Sequence, residues 1–140
     1  MAFQRNKKRG IFYLENTKLL GKEGENLAVD FLNSQGCEVI ERNYNVRAGE
    51  IDIIFFDKAM DNNFGIDKYL VFAEVKYRSN VFHGNPYEAV TKTKIRKIIK
   101  TSKFFMFRNH FSEDTPVRYD IISIEGEKIN WIKNAFDINF

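Results

Sequence analysis

The chain has a single cysteine, Cys37, in 140 residues, which excludes an intrachain disulfide framework and fits a reducing compartment. No apolar run approaches the length needed to cross a bilayer, and no signal-peptide core follows the N-terminus. A cytoplasmic location without a membrane partner is therefore expected. Only two histidines occur, His83 and His110, and neither has a second His or Cys at ligand spacing, which argues against a zinc site. Internal repeats and low-complexity linkers are missing too. Net charge is only +3, so its distribution says more about partners than its total. A chain of this length forms one domain, burying roughly two-thirds of its unfolded surface. Fourteen phenylalanines supply a bulky aromatic core.

What is present is organised around Gly49 to Arg78. The apolar runs GEIDIIFF and YLVFAEVKYR flank a polar segment from Asp57 to Lys68, the pattern of a hairpin with a long loop. An antiparallel register that sets Phe56 opposite Leu70 also sets Ile54 opposite Phe72, Asp52 opposite Glu74, Ile51 opposite Val75 and Glu50 opposite Lys76. Side chains alternate faces along a strand. One face then holds Ile51, Ile53, Phe55, Val71, Ala73 and Val75 and is wholly apolar. The other begins with Ile54, Phe56, Leu70 and Phe72 and turns abruptly ionic at Glu50, Asp52, Glu74 and Lys76.

That register places the Asp52 and Glu74 Cβ atoms about 5 Å apart across the pair. Facing carboxylates beside a low-dielectric core repel, and the repulsion raises a pKa unless a positive charge intervenes. A divalent cation and the Lys76 ammonium are the candidates. Oxygen ligands at a strand end suit Mg²⁺, which binds one or two carboxylates and leaves its other positions to water and substrate phosphate. The plainer alternative is a surface ion cluster, Glu50 and Glu74 with Lys76, that keeps strand ends soluble.

Residues 1–14 read as a flexible basic arm, with Arg5, Lys7, Lys8 and Arg9, and residues 15–140 as the folded domain. The arm suits a solvated terminus as well as it suits nucleic-acid contact. A helix is expected from Asn16 or Thr17 to Gln35, stopped by Gly36, with Ala28, Phe31 and Leu32 inward. Glu25 falls on the same stripe. It is either an acid favoured by the helix N-terminus or part of a site. Gly21 and Gly24 permit a close backbone approach. Cys37 to Tyr44 reads as the first strand, and Asn45 to Gly49 as a basic turn with Arg47.

A second helix is expected from Pro86 to Arg108, with Val90, Ile95, Ile98, Ile99, Phe105 and Met106 inward. Its other face carries Lys92, Arg96, Lys100 and Lys103, joined by Lys94 and Lys97. No acid interrupts the sequence between Glu88 and Glu113. Such a stripe suits phosphate contact, although a merely soluble face accounts for it nearly as well. Val117 to Ile124, a turn at Glu125-Gly126-Glu127 and Lys128 to Ile132 form a second hairpin, followed by a tail with Trp131, Phe136 and Phe140 on the body. The expected order is α-β-β-β-α-β with a final strand, an α/β fold with helices covering a mixed sheet.

Asp52 followed by Glu74-Val75-Lys76 resembles the D…ExK signature of restriction-endonuclease-like nucleases, and the element order matches their core. The chain more closely resembles the YraN-type family of small, largely uncharacterised endonuclease-like proteins. The matching stretches are Gly21-x-x-Gly24-Glu25 with Ala28, Arg42-Asn43, Gly49-Glu50-Ile51-Asp52 and Phe72-Ala73-Glu74-Val75-Lys76-x-Arg78. Further matches are Ala89-Val90 with Lys94, Arg118-Tyr119-Asp120, and Trp131-Ile132-x-x-Ala135-Phe136. It is similar, more distantly, to archaeal-type Holliday-junction resolvases.

The resemblance implies a restriction-endonuclease-like fold and a metal-dependent phosphodiesterase acting on nucleic acid, DNA ahead of RNA. Structure-selective cleavage in repair or recombination is expected, and a homodimer is compatible with it. It assigns Glu25, Asp52, Glu74 and Lys76 to catalysis, and Asp52, Glu74, the Val75 carbonyl and Glu25 to Mg²⁺ or Mn²⁺. Arg78, Lys92, Lys94, Arg96, Lys100 and Lys103 would hold backbone phosphates. The alternative is a binding module that keeps the nuclease fold without cleaving.

Overall fold

The structure is a computed structural model that describes residues 9–58, 65–78 and 91–137. Helix α1 spans Arg9–Ser34, followed by strands β1 (Glu38–Val46), β2 (Gly49–Asp57) and β3 (Tyr69–Arg78). Helix α2 (Lys92–Arg108) then leads to β4 (Val117–Glu125) and β5 (Lys128–Phe136). Helix α1 starts well upstream of Asn16, so residues 9–14 of the expected basic arm are helical, and residues 1–8 lie outside the described residues. Glu25 is consequently interior to the helix. The N-terminal dipole acts only within the first turn, so it does not account for an acid there. The C-terminus closes as expected, with Gly36 at φ 82° and the Cys37 N–H donating to the Leu32 carbonyl at 3.0 Å.

The sheet runs β1-β2-β3-β4-β5, and only the β3–β4 pair is parallel. A parallel pair needs a crossover, and α2 lies on it. The hairpin register holds from Phe56 opposite Leu70 to Ile53 opposite Ala73. There it stops. The pairs expected beyond it, Asp52 with Glu74, Ile51 with Val75 and Glu50 with Lys76, do not form. β2 stays bonded to β1 as far as Gly49, whereas β3 continues beside β4 to Arg78. The two strands part like a wedge. β5 runs on to Phe136, so Trp131 and Phe136 pack as strand residues; Phe140 lies outside the described residues.

Helices cover opposite faces of the sheet. Ala28 and Leu32 of α1 pack on Ile53, Phe55, Val71, Ala73, Ile122 and Ile124. Ile95, Ile98, Ile99 and Phe105 of α2 pack on Ile51, Ile54, Leu70, Phe72, Tyr119 and Ile121. Ile51 is thus on the face opposite Ile53, against the expected alternation. The change coincides with Asn43 of β1, which takes φ 50° between Arg42, paired with Ile53, and Tyr44, paired with Ile51. Tyr44 packs with Ile51 on the α2 face.

Gly24 lets α1 sit on β3, since a Cβ there would lie 2.7 Å from Tyr77 Cδ2. Helix α2 begins at Lys92 rather than Pro86. Thr91 caps it, its hydroxyl accepting from the Lys94 N–H at 3.2 Å. Residues 79–90, with Pro86, Val90 and His83, lie outside the described residues. His110 is an exposed turn residue at φ 58°. No helix among the described residues is long and apolar enough to cross a membrane. The whole is a mixed α/β arrangement compatible with the restriction-endonuclease-like fold.

Candidate active site

The wedge between β2 and β3 is where the ionic residues meet. In the expected register Ile51 would have bonded Val75; with Ile51 rotated away, the Asp52 carboxylate takes its place and accepts the Val75 N–H at 2.8 Å. N–H and C=O of one strand residue point to the same side. The Val75 carbonyl therefore faces the same wedge. Burial and the neighbouring Glu74 charge, with a smaller contribution from Glu50, push the Asp52 carboxyl up to about 7, partly opposed by the Val75 N–H. The Asp52 carboxyl therefore keeps its proton to a higher pH than an ordinary carboxylate does.

Glu74 is buried on the α2 face and meets two lysines. Lys76 Nζ lies 3.5 Å from Glu74 Oε1, and Lys94, delivered by the first turn of α2, pairs with the same oxygen. Burial and the adjacent Lys94 lower the Lys76 pKa, with Glu74 opposing. Burial alone would lower Lys94 as well, but its bond to Glu74 and that carboxylate's charge outweigh it, and the net direction is up. The two lysines are therefore unequal. Lys94 is held as an ammonium, and Lys76 gives up its proton more readily.

Glu25 is placed elsewhere. Its Oε1 accepts from Arg42 Nε at 3.0 Å and Asn43 Nδ2 at 2.9 Å, and Arg42 Nη2 lies 2.9 Å away. Arg42 also reaches Asn26 Oδ1 at 2.6 Å. The partners of Glu25 are thus residues of β1 rather than Asp52, Glu74 or Lys76, and the expected four-residue convergence is three residues plus Lys94. Asn43 nevertheless sits across the ladder from Asp52, between the Arg42–Ile53 and Tyr44–Ile51 pairs. Glu25 thus holds the left-handed residue that lies opposite Asp52.

The basic residues divide. Arg96 and Lys100 line a groove of about 640 Å³ with Arg47, Lys97, Thr93 and Phe104. A second hollow of about 380 Å³, bounded by Gly49, Glu50, Thr91 and Lys94, shares Thr93 and Lys97 with it, and Lys94 on its wall pairs with Glu74. Lys103 lies instead on a pocket with Met106, Phe111 and Phe136, Lys92 is exposed at the helix start, and Arg78 ends β3. The groove face is 93, 96, 97, 100 and 104, slightly rotated from the expected stripe. The signal for it was Phe104 at one helical step past Lys100. Arg47 was legible only as a basic turn residue; the turn reaches α2 because Gly49 has no Cβ, which would lie 3.0 Å from Thr101 Oγ1.

Comparison with known proteins bears on the same residues. The model of the uncharacterised protein family UPF0102 matches residues 24–124, a span that includes Glu25, Asp52, Glu74, Lys76 and Lys94. The chain belongs to the UPF0102 family. This is the YraN type that its motifs resemble. It is 44% identical over 122 residues to a UPF0102 protein of Lachnoclostridium phytofermentans, covering 87% of this chain and 96% of the relative. It is 42% identical over 120 residues to one of Persephonella marina, covering 86% and 95%. A UPF0102 protein of Legionella pneumophila is 39% identical over 123 residues, covering 86% and 97%. These names carry the family and no activity.

The donor set can be tested against the expected divalent metal. Among the described residues no three carboxylate, imidazole or thiol groups converge as a metal cage. What does converge is the Asp52–Glu74 pair and the Val75 carbonyl. A carboxyl that burial and a neighbouring carboxylate hinder from ionising, beside that carboxylate and a backbone oxygen, fits a hard cation that keeps several waters. Glu25 does not join this set.

Proposed function

We propose that this UPF0102 protein is a metal-dependent endonuclease that hydrolyses phosphodiester bonds of DNA. The observation that carries the proposal is the Asp52–Glu74 pair, with Asp52 pushed up to about 7, beside Lys76 and a Lys94 that also lines the hollow adjoining the basic groove. A cluster that only solubilised strand ends would not bury two like charges in contact. Asp52, Glu74 and the Val75 carbonyl would hold Mg²⁺ or Mn²⁺, which supplies charge stabilisation at phosphate oxygen and a more acidic bound water. Lys76 would orient the attacking water and neutralise charge growing on the phosphorus oxygens. Lys94, kept as an ammonium, would exchange its Glu74 contact for a phosphate oxygen. Arg96 and Lys100 would hold flanking phosphates, giving affinity without sequence choice.

The test is a panel of duplexes, single strands, flaps and junctions incubated with Mg²⁺, Mn²⁺ or EDTA. Cleavage should need metal and fall by at least about 10²–10³-fold in Lys76→Ala, while affinity stays within a few-fold. Thermal stability should rise with millimolar metal, by about 2.7 kcal/mol at a hundredfold excess over Kd, and rise less in Asp52→Asn. Neither cleavage nor a metal shift would leave a binding module that keeps the fold.

A further inference from the structure

We propose that the groove beside α2 binds a single-stranded flank of the nucleic acid, with an unpaired base stacked on Phe104. The inference rests on the nucleic-acid reading of the site and names the substrate class that this reading left open. Arg47, Arg96, Lys97 and Lys100 line the groove, and no acid does. Such a lining tracks a phosphate backbone of either form. Phe104 decides between the forms. It lies at the far end of the groove, is 41% exposed, and has the Arg108 guanidinium 5.8 Å from its ring centroid. An exposed ring flanked by cations is a platform for a base face, and a paired base offers no face to it.

The spacing is consistent with this use. Lys94 and Phe104 are ten positions apart on α2, about 15 Å along the axis, the reach of a few nucleotides of extended single strand. A scissile phosphate at the carboxylates and a stacked base at Phe104 would therefore belong to the same short tail. The groove face repeats at helical intervals through Thr93, Arg96, Lys97, Lys100 and Phe104, so one rigid element sets the whole distance. Substrates with an unpaired tail next to a duplex follow as the preferred class.

Binding is measured in EDTA by anisotropy of labelled oligo-dT and of a labelled duplex of equal length. Wild type should prefer oligo-dT. Phe104→Ala should weaken oligo-dT binding by about 5–150-fold, the range of one lost stack, and leave duplex binding within about two-fold. Arg96→Gln with Lys100→Gln should weaken both and flatten both salt slopes. As a check independent of truncation, Phe104→Trp should keep affinity and add an emission component quenched by oligo-dT. Trp131, packed edge-on against Phe31 and Phe55, is the unquenched reference. Equal losses for both ligands, no loss, or a Phe104→Trp emission that oligo-dT leaves unquenched would overturn the proposal. So would self-association that disappears with Phe104 while binding is unchanged, since the ring would then serve a protein contact. The outcomes separate from those of the cleavage reading. Phe104-dependent preference without cleavage upholds the groove and sinks the nuclease; metal-dependent cleavage with no such preference does the reverse.

Discussion

Two ionic clusters sit at opposite ends of β2, on opposite faces of one sheet, and they are built to opposite standards. At the end bearing Asp57, Arg118 donates to Asp120 at 2.9 and 2.8 Å and to Asp57 at 2.8 Å. Asp120, fully buried, also accepts from Trp131 Nε1 at 2.8 Å and from the Asn134 N–H at 3.0 Å. Its oxygens are occupied by a planar, always-charged partner in bidentate geometry. About 17 Å along the strand, Asp52 has one backbone donor, a carboxylate neighbour and only lysines nearby. Burial in the first cluster carries no penalty that its bonds do not offset. In the second the mismatch persists in the folded protein, the usual sign of a place where something binds.

The largest effect expected from this contrast is at the satisfied end. Asp120→Ala leaves Arg118 buried with Asp57 as its remaining close acid and strands the Trp131 and Asn134 donors. Unfolding free energy should drop by about 3–5 kcal/mol in chemical denaturation. A loss under about 1 kcal/mol would show that the two clusters do not differ as described.

A smaller effect of opposite sign belongs to Asp52 in chelator. Its folded pKa, about 7, lies above the ordinary 3.8, so between those values the folded protein holds a proton that the unfolded chain releases. Stability from this group is complete below about pH 4 and is lost as pH rises toward 7, by on the order of 3–4 kcal/mol. Asp52→Asn stays neutral throughout. The variant should match wild type near about pH 4 and exceed it near about pH 8, and a difference that does not vary with pH would break the comparison.

The smallest effect sharpens the account of Glu25. Glu25→Gln keeps one acceptor for Arg42 and Asn43 and should cost about 1 kcal/mol. Because it acts on the Asn43 turn, it should also weaken the metal-induced rise in thermal stability without abolishing it. Complete loss of that rise would mean that Glu25 touches the metal after all.

Much of the site was legible before the structure. The abrupt change from Ile54 and Phe72 to Asp52 and Glu74 marked a strand end where burial and charge conflict, and the hairpin register from Ile53 to Phe56 followed from matching apolar faces. Period-two patterning carries that information because a slip of one residue exposes every core side chain. Helix α2 announced its inner face by spacing, and alternation put Glu74 and Lys76 on the same face of their strand as Phe72.

Other features depended on contacts between distant segments. Ile51 joins the other core where the β2–β3 ladder ends, opposite the left-handed Asn43, and no local pattern in GEIDIIFF distinguishes that outcome from a straight strand. Glu25 lies on the inward stripe of α1 by periodicity, but its partners come from β1, whose position relative to α1 is a matter of packing. Lys94 read as one more cation on a basic helix until the crossover set its first turn against Glu74. Periodicity is local and repeats every two or three to four residues, so it assigns a side chain to a face. Which side chain on another element occupies that face is decided by how the layers dock, and only the folded chain holds that information.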